Sequence, residues 1–556
     1  MNRRWYRWLV TAAILGTLLA SCGRLPSIGG KTVRIHIYYG SEKEEWLEAL
    51  REQYNAERRQ TPDGSTIVVE ATPIGSIESM ERILREEIQP TVWSPASEIY
   101  VPLINSEWRK THTDDLVQRS PPDLVLSPVV IAMWRPMAEV LGWPEKCLGW
   151  SDIAALSVSE RGWEAYGLPE WGSFKLGHTD PARSNSGFIS VLAEAYAGAG
   201  KQRDLTLEDL QDPQVKSFMA AVESSIIHYG SSTGFFATQM FERGPSYLSA
   251  AVMYENLVVA QESKRLAGLS DQLPVVAIYP KEGTFWSDHP YCILNAPWVS
   301  EQQRAAAEAF QAFLLDAAQQ IRALEYGFRP ADPAIALGAP LDEAHGVDPG
   351  QPQTVLETPR SDVLLAVQQV WREVKKPVDV VAVVDISGSM RGSKIASART
   401  SLIEFIGLLD DRDRLQVLLF SEQLITLTPL SRLGDKRAEV TQRVSGIVEQ
   451  GNTRLYDAVY QAHQDLQQLG DPKHIRAIVA LSDGKDNASS RSLDALAAEV
   501  GDLTEGGMAT KVFTIAFGGD ADLQVLETIA DSTGARMYQG DPETIREVYA
   551  EIATFF

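Results

Sequence analysis

Residues 377–390 read Pro-Val-Asp-Val-Val-Ala-Val-Val-Asp-Ile-Ser-Gly-Ser-Met, and the rest of the chain can be organised outward from them. The apolar run 380–384 ends in Asp385-Ile386-Ser387-Gly388-Ser389, and a helical stretch begins near Ser393. A short Val-rich run of this kind fits a strand buried on both faces of a parallel sheet. Asp385, Ser387 and Ser389 then lie on the loop at that strand's carboxyl end, where open α/β sheets place their ligands. One carboxylate and two hydroxyls converging there make a hard oxygen site, suited to Mg²⁺ or, with the same donors, Mn²⁺ or Ca²⁺.

Asp-x-Ser-x-Ser alone also describes Ser and Asp capping a helix. Two further stretches follow it in order: Gly451-Asn452-Thr453-Arg454-Leu455-Tyr456-Asp457-Ala458, and a strand-like Ala477-Ile478-Val479-Ala480-Leu481-Ser482-Asp483-Gly484. Together the three resemble the metal-ion-dependent adhesion site of von Willebrand factor A (VWA) domains. The resemblance implies a doubly wound, Rossmann-like α/β domain over 377–556. It also implies a metal shell of Asp385, Ser387, Ser389, Thr453 and Asp483, with Thr453 joining when a ligand is engaged. In that family the open coordination position accepts an Asp or Glu from a protein partner. Nothing in the pattern activates a nucleophile, so catalysis is not implied.

The 556 residues exceed what one core usually serves, and two or three domains are expected. The formal charge of −23 argues against nucleic acid as a partner and against attraction to anionic lipid headgroups. Membrane attachment therefore needs a covalent or hydrophobic anchor. One is legible at the start: Arg3, Arg4 and Arg7, then a mostly apolar run over 9–20, then Leu19-Ala20-Ser21-Cys22. The run of about a dozen residues is short for a membrane span and reads as a signal peptide. Leu-Ala-Ser-Cys resembles the lipobox of bacterial lipoproteins, which implies cleavage before Cys22 and a lipid-anchored, extracytoplasmic protein. An ordinary secretory signal with an incidental Cys is the alternative, and both export the chain. Cys147 and Cys292 are either one disulfide or two buried thiols.

From Lys31 onward strands alternate with helices: a strand over 32–39, a helix over 42–57, a strand over 66–72 and a further helix opening at 74–78. Such alternation sets hydroxyls and backbone N–H groups at helix amino ends, where anions bind. Tyr39-Gly40-Ser41, Gly75-Ser76, Trp93-Ser94-Pro95-Ala96-Ser97, Gly177-His178-Thr179-Asp180-Pro181-Ala182-Arg183-Ser184-Asn185-Ser186-Gly187 and Tyr254-Glu255-Asn256 carry a second resemblance. With 278–280 and 289–298 they make 31–335 similar to extracellular solute-binding proteins of the two-lobed, type 2 periplasmic-binding class. That likeness implies a cleft lined by Ser41, Ser76 and Ser97 from one lobe and by Thr179, Arg183, Ser184 and Ser186 from the other, with Tyr254 and Glu255 closing it near the hinge. Arg183 and the hydroxyls suit an anion, whereas a free Glu255 suits a cationic or hydroxylated solute. Each of these serines also reads as a helix cap or Ser-turn.

Gly230-Ser231-Ser232-Thr233-Gly234 satisfies the Gly-x-Ser-x-Gly pattern of serine hydrolases, which needs a buried strand before it. Residues 218–228 read as helix, which removes that strand. Residues 329–360 carry Pro330, Pro333, Pro340, Pro349, Pro352 and Pro359 and read as an irregular connection, partly packed on the first domain. A helix follows over 361–376 with Val363, Leu364, Val367, Val370 and Trp371 at helical spacing, a core face. The expected organisation is a signal segment over 1–22, a solute-binding-like domain over 31–335, a Pro-rich linker and helix over 336–376, and the VWA-like domain. The function it implies is partner capture by a metal-dependent adhesion domain coupled to a solute-binding domain. The alternative is the substrate-binding component of an ABC-type transport system, with the second domain as an assembly tether.

Overall fold

A computed structural model describes residues 31–230, 232–471, 473–501 and 510–556. The signal segment with Cys22 lies outside them. The described strands form three sheets. Alternating burial in Thr32–Tyr39 turns Val33, Ile35, Ile37 and Tyr39 into the first core. That strand pairs in parallel with Thr66–Pro73 on one side and Val92–Ser94 on the other, and Cys292–Ile293 closes the edge. The second lobe is built around Val125–Trp134, which is buried along nearly its whole length. Ala250–Tyr254 and Val275–Ile278 pair antiparallel to it, and Leu176–Thr179 and Ile226–Gly230 extend the sheet in parallel.

Backbone and side-chain bonds join the lobes across the cleft. Gly234 N donates to Ser41 Oγ at 3.3 Å, and Asn256 Nδ2 donates to the Glu42 carbonyl at 3.0 Å. The Arg183 carbonyl accepts from Ile77 N at 3.1 Å and Glu78 N at 3.4 Å. A Cβ at Gly75 would lie 2.7 Å from that carbonyl, so the approach requires glycine.

The third sheet runs in the order Leu424–Arg432, Arg414–Phe420, Val378–Asp385, Ile475–Ser482, Lys511–Phe517, Met537–Gly540. All eight residues of Val378–Asp385 are buried, with parallel neighbours on both sides, as the apolar run predicts. Only Leu424–Arg432, at the edge, runs antiparallel, and it is half-exposed.

Two sequence expectations change here. The stretch 218–228 is not one helix: helix Pro213–Glu223 ends, and Ile226–Gly230 is a buried strand leading to helix Thr233–Arg243. The β-branched pair Ile226-Ile227 and the aromatic Tyr229 favour the strand once packed inside a sheet. Ser232 therefore does follow a strand, but both ring nitrogens of His228 are engaged elsewhere. Nδ1 meets the Tyr229 carbonyl at 3.0 Å, and Nε2 meets the Tyr247 hydroxyl. Cys147 is exposed and Cys292 buried, and both are free thiols.

The connection is held along its length. Leu341, Val347 and Leu356 are buried, Ala277 N donates to the Gly346 carbonyl at 2.8 Å, and Leu356 N donates to the Thr284 carbonyl at 2.8 Å. Helix Ser361–Val374 buries Val363, Leu364, Val367, Val370 and Trp371 against helices of the second lobe, the core role its spacing predicts. The third sheet's domain also docks on that lobe. Phe555 packs near His228, Arg536 lies 5.4 Å from the Phe235 ring centroid, and Lys375 Nζ donates to the Phe556 backbone oxygen at 2.8 Å.

Lys511 is buried in this contact, donating to the Thr533 carbonyl at 2.9 Å. The Tyr247 ring, 4.7 Å away, favours its charged form, but burial, with Arg243 and Lys175 adding repulsion, outweighs this and pulls the ammonium down to about 7. The unfolded chain then binds more protons than the folded one between about pH 7 and 10.5, so this group makes stability rise with pH across that window. Lys511→Met is expected to stabilise the protein near pH 7 by on the order of 1–2 kcal/mol and to flatten that rise. Unfolding midpoints at pH 7, 8.5 and 10 check it, and an unchanged slope would count against the Lys511 assignment.

Candidate metal-ion and solute sites

The carboxyl ends of Val378–Asp385 and Ile475–Ser482, neighbours in register, deliver Asp385 and Asp483 to one place. Asp385 is fully buried; its Oδ1 accepts from Ser387 N at 2.8 Å and its Oδ2 from Ser482 Oγ at 2.7 Å. Ser387 Oγ lies 2.9 Å from Ser389 Oγ, which donates to Asp483 Oδ1 at 2.6 Å. Thr453 reaches the same point from the loop between the other two in sequence. A Cβ at Gly484 would sit 3.6 Å from Ser389 Oγ and 3.7 Å from Thr453 Oγ1, so both hydroxyls lie beside the glycine after Asp483. The structure brings all five expected residues together.

The donor set fits a hard dication. Donors around octahedral Mg²⁺, at 2.0–2.1 Å from the ion, are about 2.9 Å apart along an edge. The Ser387–Ser389 and Ser389–Asp483 separations are close to that. Burial, with Asp483 adding repulsion, raises the Asp385 carboxyl above its ordinary range. Lys394 places an ammonium where that charge calls for a cation, its Nζ 2.7 Å from Asp483 Oδ2 and 3.9 Å from Asp520.

Sequence reading missed Lys394, Ser482, Asp486 and Asn487. Asn487 Oδ1 accepts from Thr453 N at 3.0 Å, and Asn487 N and Ala488 N both donate to the Thr453 carbonyl. Asp486 Oδ2 accepts from Tyr456 N at 3.0 Å at the start of helix Leu455–Leu469. Asp483 to Asn487 is thus a clamp on the Thr453 loop. The polar run right after Asp483 was the available signal.

The solute-side expectations fare differently. A cleft of about 1240 Å³ opens between the lobes, and of the nine expected residues only Ser41 and Arg183 line it. Ser76 Oγ accepts from Ala96 N at 3.0 Å, and Ser97 Oγ accepts from Ile99 N at 3.3 Å; both are buried backbone supports. Thr179, Ser184 and Ser186 are buried in a hydroxyl chain with Thr233, with separations of 2.8–3.2 Å. Tyr254 OH accepts from Asn185 Nδ2 at 3.0 Å. Glu255 is not free: Arg329 Nη2 and Nε grip its two carboxylate oxygens at 2.6 and 2.8 Å, with both side chains buried. Arg183 donates to the Ala550 carbonyl at 3.1 Å, so its guanidinium is turned to the following domain.

Two acidic elements meet at this cleft. Among the described residues its wall carries nine glutamates against three arginines and one lysine, and Glu547 and Glu551 come from helix Ile545–Ile552 of the last domain. Deeper in, Lys43 Nζ bonds Glu42 at 3.1 Å and His289 Nδ1 at 3.3 Å. Burial opposes ionisation of Glu42, but Lys43 and His289 hold its carboxyl down at about 2. Burial and Lys43 hold His289 at about 4, and hence neutral. Around this group Ser94 Oγ, Tyr100 OH, Asn185 Oδ1 and His289 Nε2 are buried without a protein partner.

Residues 35–329, more than half of the chain, match the family model for bacterial extracellular solute-binding proteins. The chain belongs to this family. Residues 379–551 of this solute-binding protein match the von Willebrand factor type A domain. Inter-alpha-trypsin inhibitor heavy chain H4 of Sus scrofa is 27% identical over 195 residues, 33% of this chain and 21% of that protein. The chain therefore spans about a fifth of that curated relative. Among solved structures, the sulfate-binding protein SubI of Mycobacterium tuberculosis H37Rv is 17% identical, with a TM-score of 0.38 over 54% of this chain and 88% of its own. A von Willebrand factor type A structure from Catenulispora acidiphila is 23% identical, with a TM-score of 0.29 over 32% of this chain and 43% of its own.

Proposed function

We propose that this solute-binding protein is an exported, Cys22-anchored binding protein whose VWA domain captures an acidic segment of a protein partner through Mg²⁺ or a similar dication. The observation that carries this reading is the convergence of Asp385, Ser387, Ser389, Thr453 and Asp483 on one place, with Ser387–Ser389 and Ser389–Asp483 oxygen separations of 2.9 and 2.6 Å and a lysine ammonium already beside Asp483. The bound dication supplies an open coordination position for a carboxylate. It also offsets locally the repulsion that a chain of charge −23 exerts on an acidic partner. Leu19-Ala20-Ser21-Cys22 and the extracellular character of the family support the extracytoplasmic placement. The excess of glutamates in the cleft, and the engagement of Arg183 by Ala550, favour a cationic or hydroxylated solute over an anion. Delivery of a solute to a permease rests on the family of the first domain alone.

Calorimetric titration of Mg²⁺ and Mn²⁺ into the full chain tests the reading, beside an Asp385→Ala, Ser387→Ala variant. Saturable binding lost in the variant supports it, and equal binding by both proteins overturns it. Lys394→Gln removes the competing ammonium. Mg²⁺ affinity is expected to rise roughly fivefold to tenfold, about 1–1.4 kcal/mol. An unchanged affinity in the same titration would remove Lys394 from the site.

A further inference from the structure

Three metal-ligating side chains meet inside the second lobe, on elements separate from the metal loops of the VWA domain. His178 comes from strand Leu176–Thr179, Glu194 from helix Asn185–Ala199 and Glu223 from the end of helix Pro213–Glu223. All three are 0% exposed, and one ligand atom from each lies within 4.8 Å of the others.

The hydrogen-bond partners constrain how this cluster is charged. His178 Nδ1 is 2.7 Å from the Thr179 carbonyl, which can only accept, so Nδ1 carries the ring proton. Nε2 then meets Glu223 Oε1, 3.0 Å away, either as a protonated donor or across a shared metal ion. Glu223 Oε2 accepts from Tyr229 OH at 2.7 Å, and Glu194 Oε1 accepts from Ser190 Oγ at 3.0 Å. The remaining oxygen, Glu194 Oε2, is sealed from solvent without a partner. Among the described residues no lysine or arginine pairs with either carboxylate; the one ion-pair contact is His178 with Glu223. The cluster therefore holds a buried carboxylate oxygen that nothing in the protein satisfies, a place for either a proton or a metal.

We propose that His178, Glu194 and Glu223 hold one transition-metal dication of the Zn²⁺ class at a buried site. One imidazole and two carboxylates suit Zn²⁺ better than Mg²⁺, which keeps water and prefers oxygen. Donors 2.0–2.1 Å from a tetrahedral ion are about 3.3 Å apart, close to the His178–Glu223 separation. Thr179, Tyr229 and Ser190 supply the outer hydrogen bonds that fix tautomer and carboxylate orientation. The site underpins the linker: Tyr229 meets Trp371 of helix Ser361–Val374 edge-on, at 5.3 Å between ring centroids. The ion thus fastens the two helices and the strand on which the connection to the VWA domain is seated.

The test uses the full chain produced with Zn²⁺ and Mn²⁺ in the medium, dialysed against EDTA to strip accessible ions and analysed by plasma mass spectrometry. About one equivalent of metal should remain in the wild type and in Asp385→Ala, and fall at least fivefold in Glu194→Gln. On wild-type protein, X-ray absorption at the metal edge should show nitrogen and oxygen donors without sulfur, a readout independent of whether the variant folds. A wild type holding no stoichiometric metal after both native purification and refolding with Zn²⁺ would overturn the proposal in favour of a proton shared by the carboxyls. So would a Glu194→Gln protein that keeps its full equivalent, or sulfur in the metal's shell. Retention in Asp385→Ala separates these outcomes from any failure of the VWA site.

Discussion

Asp385→Asn is expected to stabilise the metal-free protein and at the same time abolish its response to Mg²⁺. In the apo state Asp385 is a fully buried carboxylate facing a second one, Asp483, with a serine N–H and a serine hydroxyl as its donors. Asn keeps an oxygen for Ser387 N, and its amide can donate to Ser482 once that hydroxyl rotates. The buried charge is gone, and removing it should gain on the order of 1 kcal/mol. Loss of an anionic ligand should weaken Mg²⁺ binding by at least about a hundredfold. The sign of the pH effect follows from the raised carboxyl. That contribution to apo stability is fully present below the ordinary carboxylate pKa, near 3.8, and is lost as pH rises through the higher folded value. Thermal unfolding in EDTA at pH 5 and 7.5, repeated with Mg²⁺, reads both effects. A variant less stable than wild type in EDTA, or one keeping the full Mg²⁺ shift, would remove Asp385 from the centre of the site.

Glu255→Gln should be the most damaging single substitution in the solute-binding domain. It leaves the Arg329 guanidinium buried against a neutral amide, while Arg329 Nη1 continues to donate to the Pro349 carbonyl at 3.0 Å. Breaking a buried pair from one side costs about 3–5 kcal/mol, chiefly for the charge left uncompensated. Replacing both partners, as Glu255→Gln with Arg329→Met, should cost clearly less than either change alone. Because Arg329 also holds the Asp348 carbonyl, the single variant should loosen the strap over 336–360 and expose it to protease. Urea unfolding of the four proteins in the cycle gives the coupling. Additive losses would mean that the pair does not act as a unit.

The VWA half was legible because its chemistry sits on short motifs at strand ends. Asp385, Thr453 and Asp483 are each announced by an apolar run or a glycine turn, and register between neighbouring strands does the rest. The solute half was legible as a class but not as a site. Hydroxyls at 76, 97, 179, 184 and 186 read the same whether they face a solute or a backbone N–H, and the fold uses them for its own bonds. Glu255 could be recognised as a carboxylate, but its partner Arg329 lies 74 positions away, and no spacing encodes that pairing. Ile226–Gly230 was lost to a helical reading because a strand of five residues leaves too few positions to distinguish the two periods. The docking of the two domains had no local signal, since Lys511 reads as an ordinary strand-end lysine until its neighbours are known.

Arg183 faces two ways. Its carbonyl ties down the amino end of helix Ser76–Leu84 in the first lobe, while its guanidinium ties down the carboxyl end of helix Ile545–Ile552 in the VWA domain. A force on the VWA domain would reach helix Ser76–Leu84 of the first lobe partly through this one residue. Pulling on the VWA domain would therefore strain the same contacts that join the lobes across the cleft. In mechanical terms the cleft between the lobes lies within that load path.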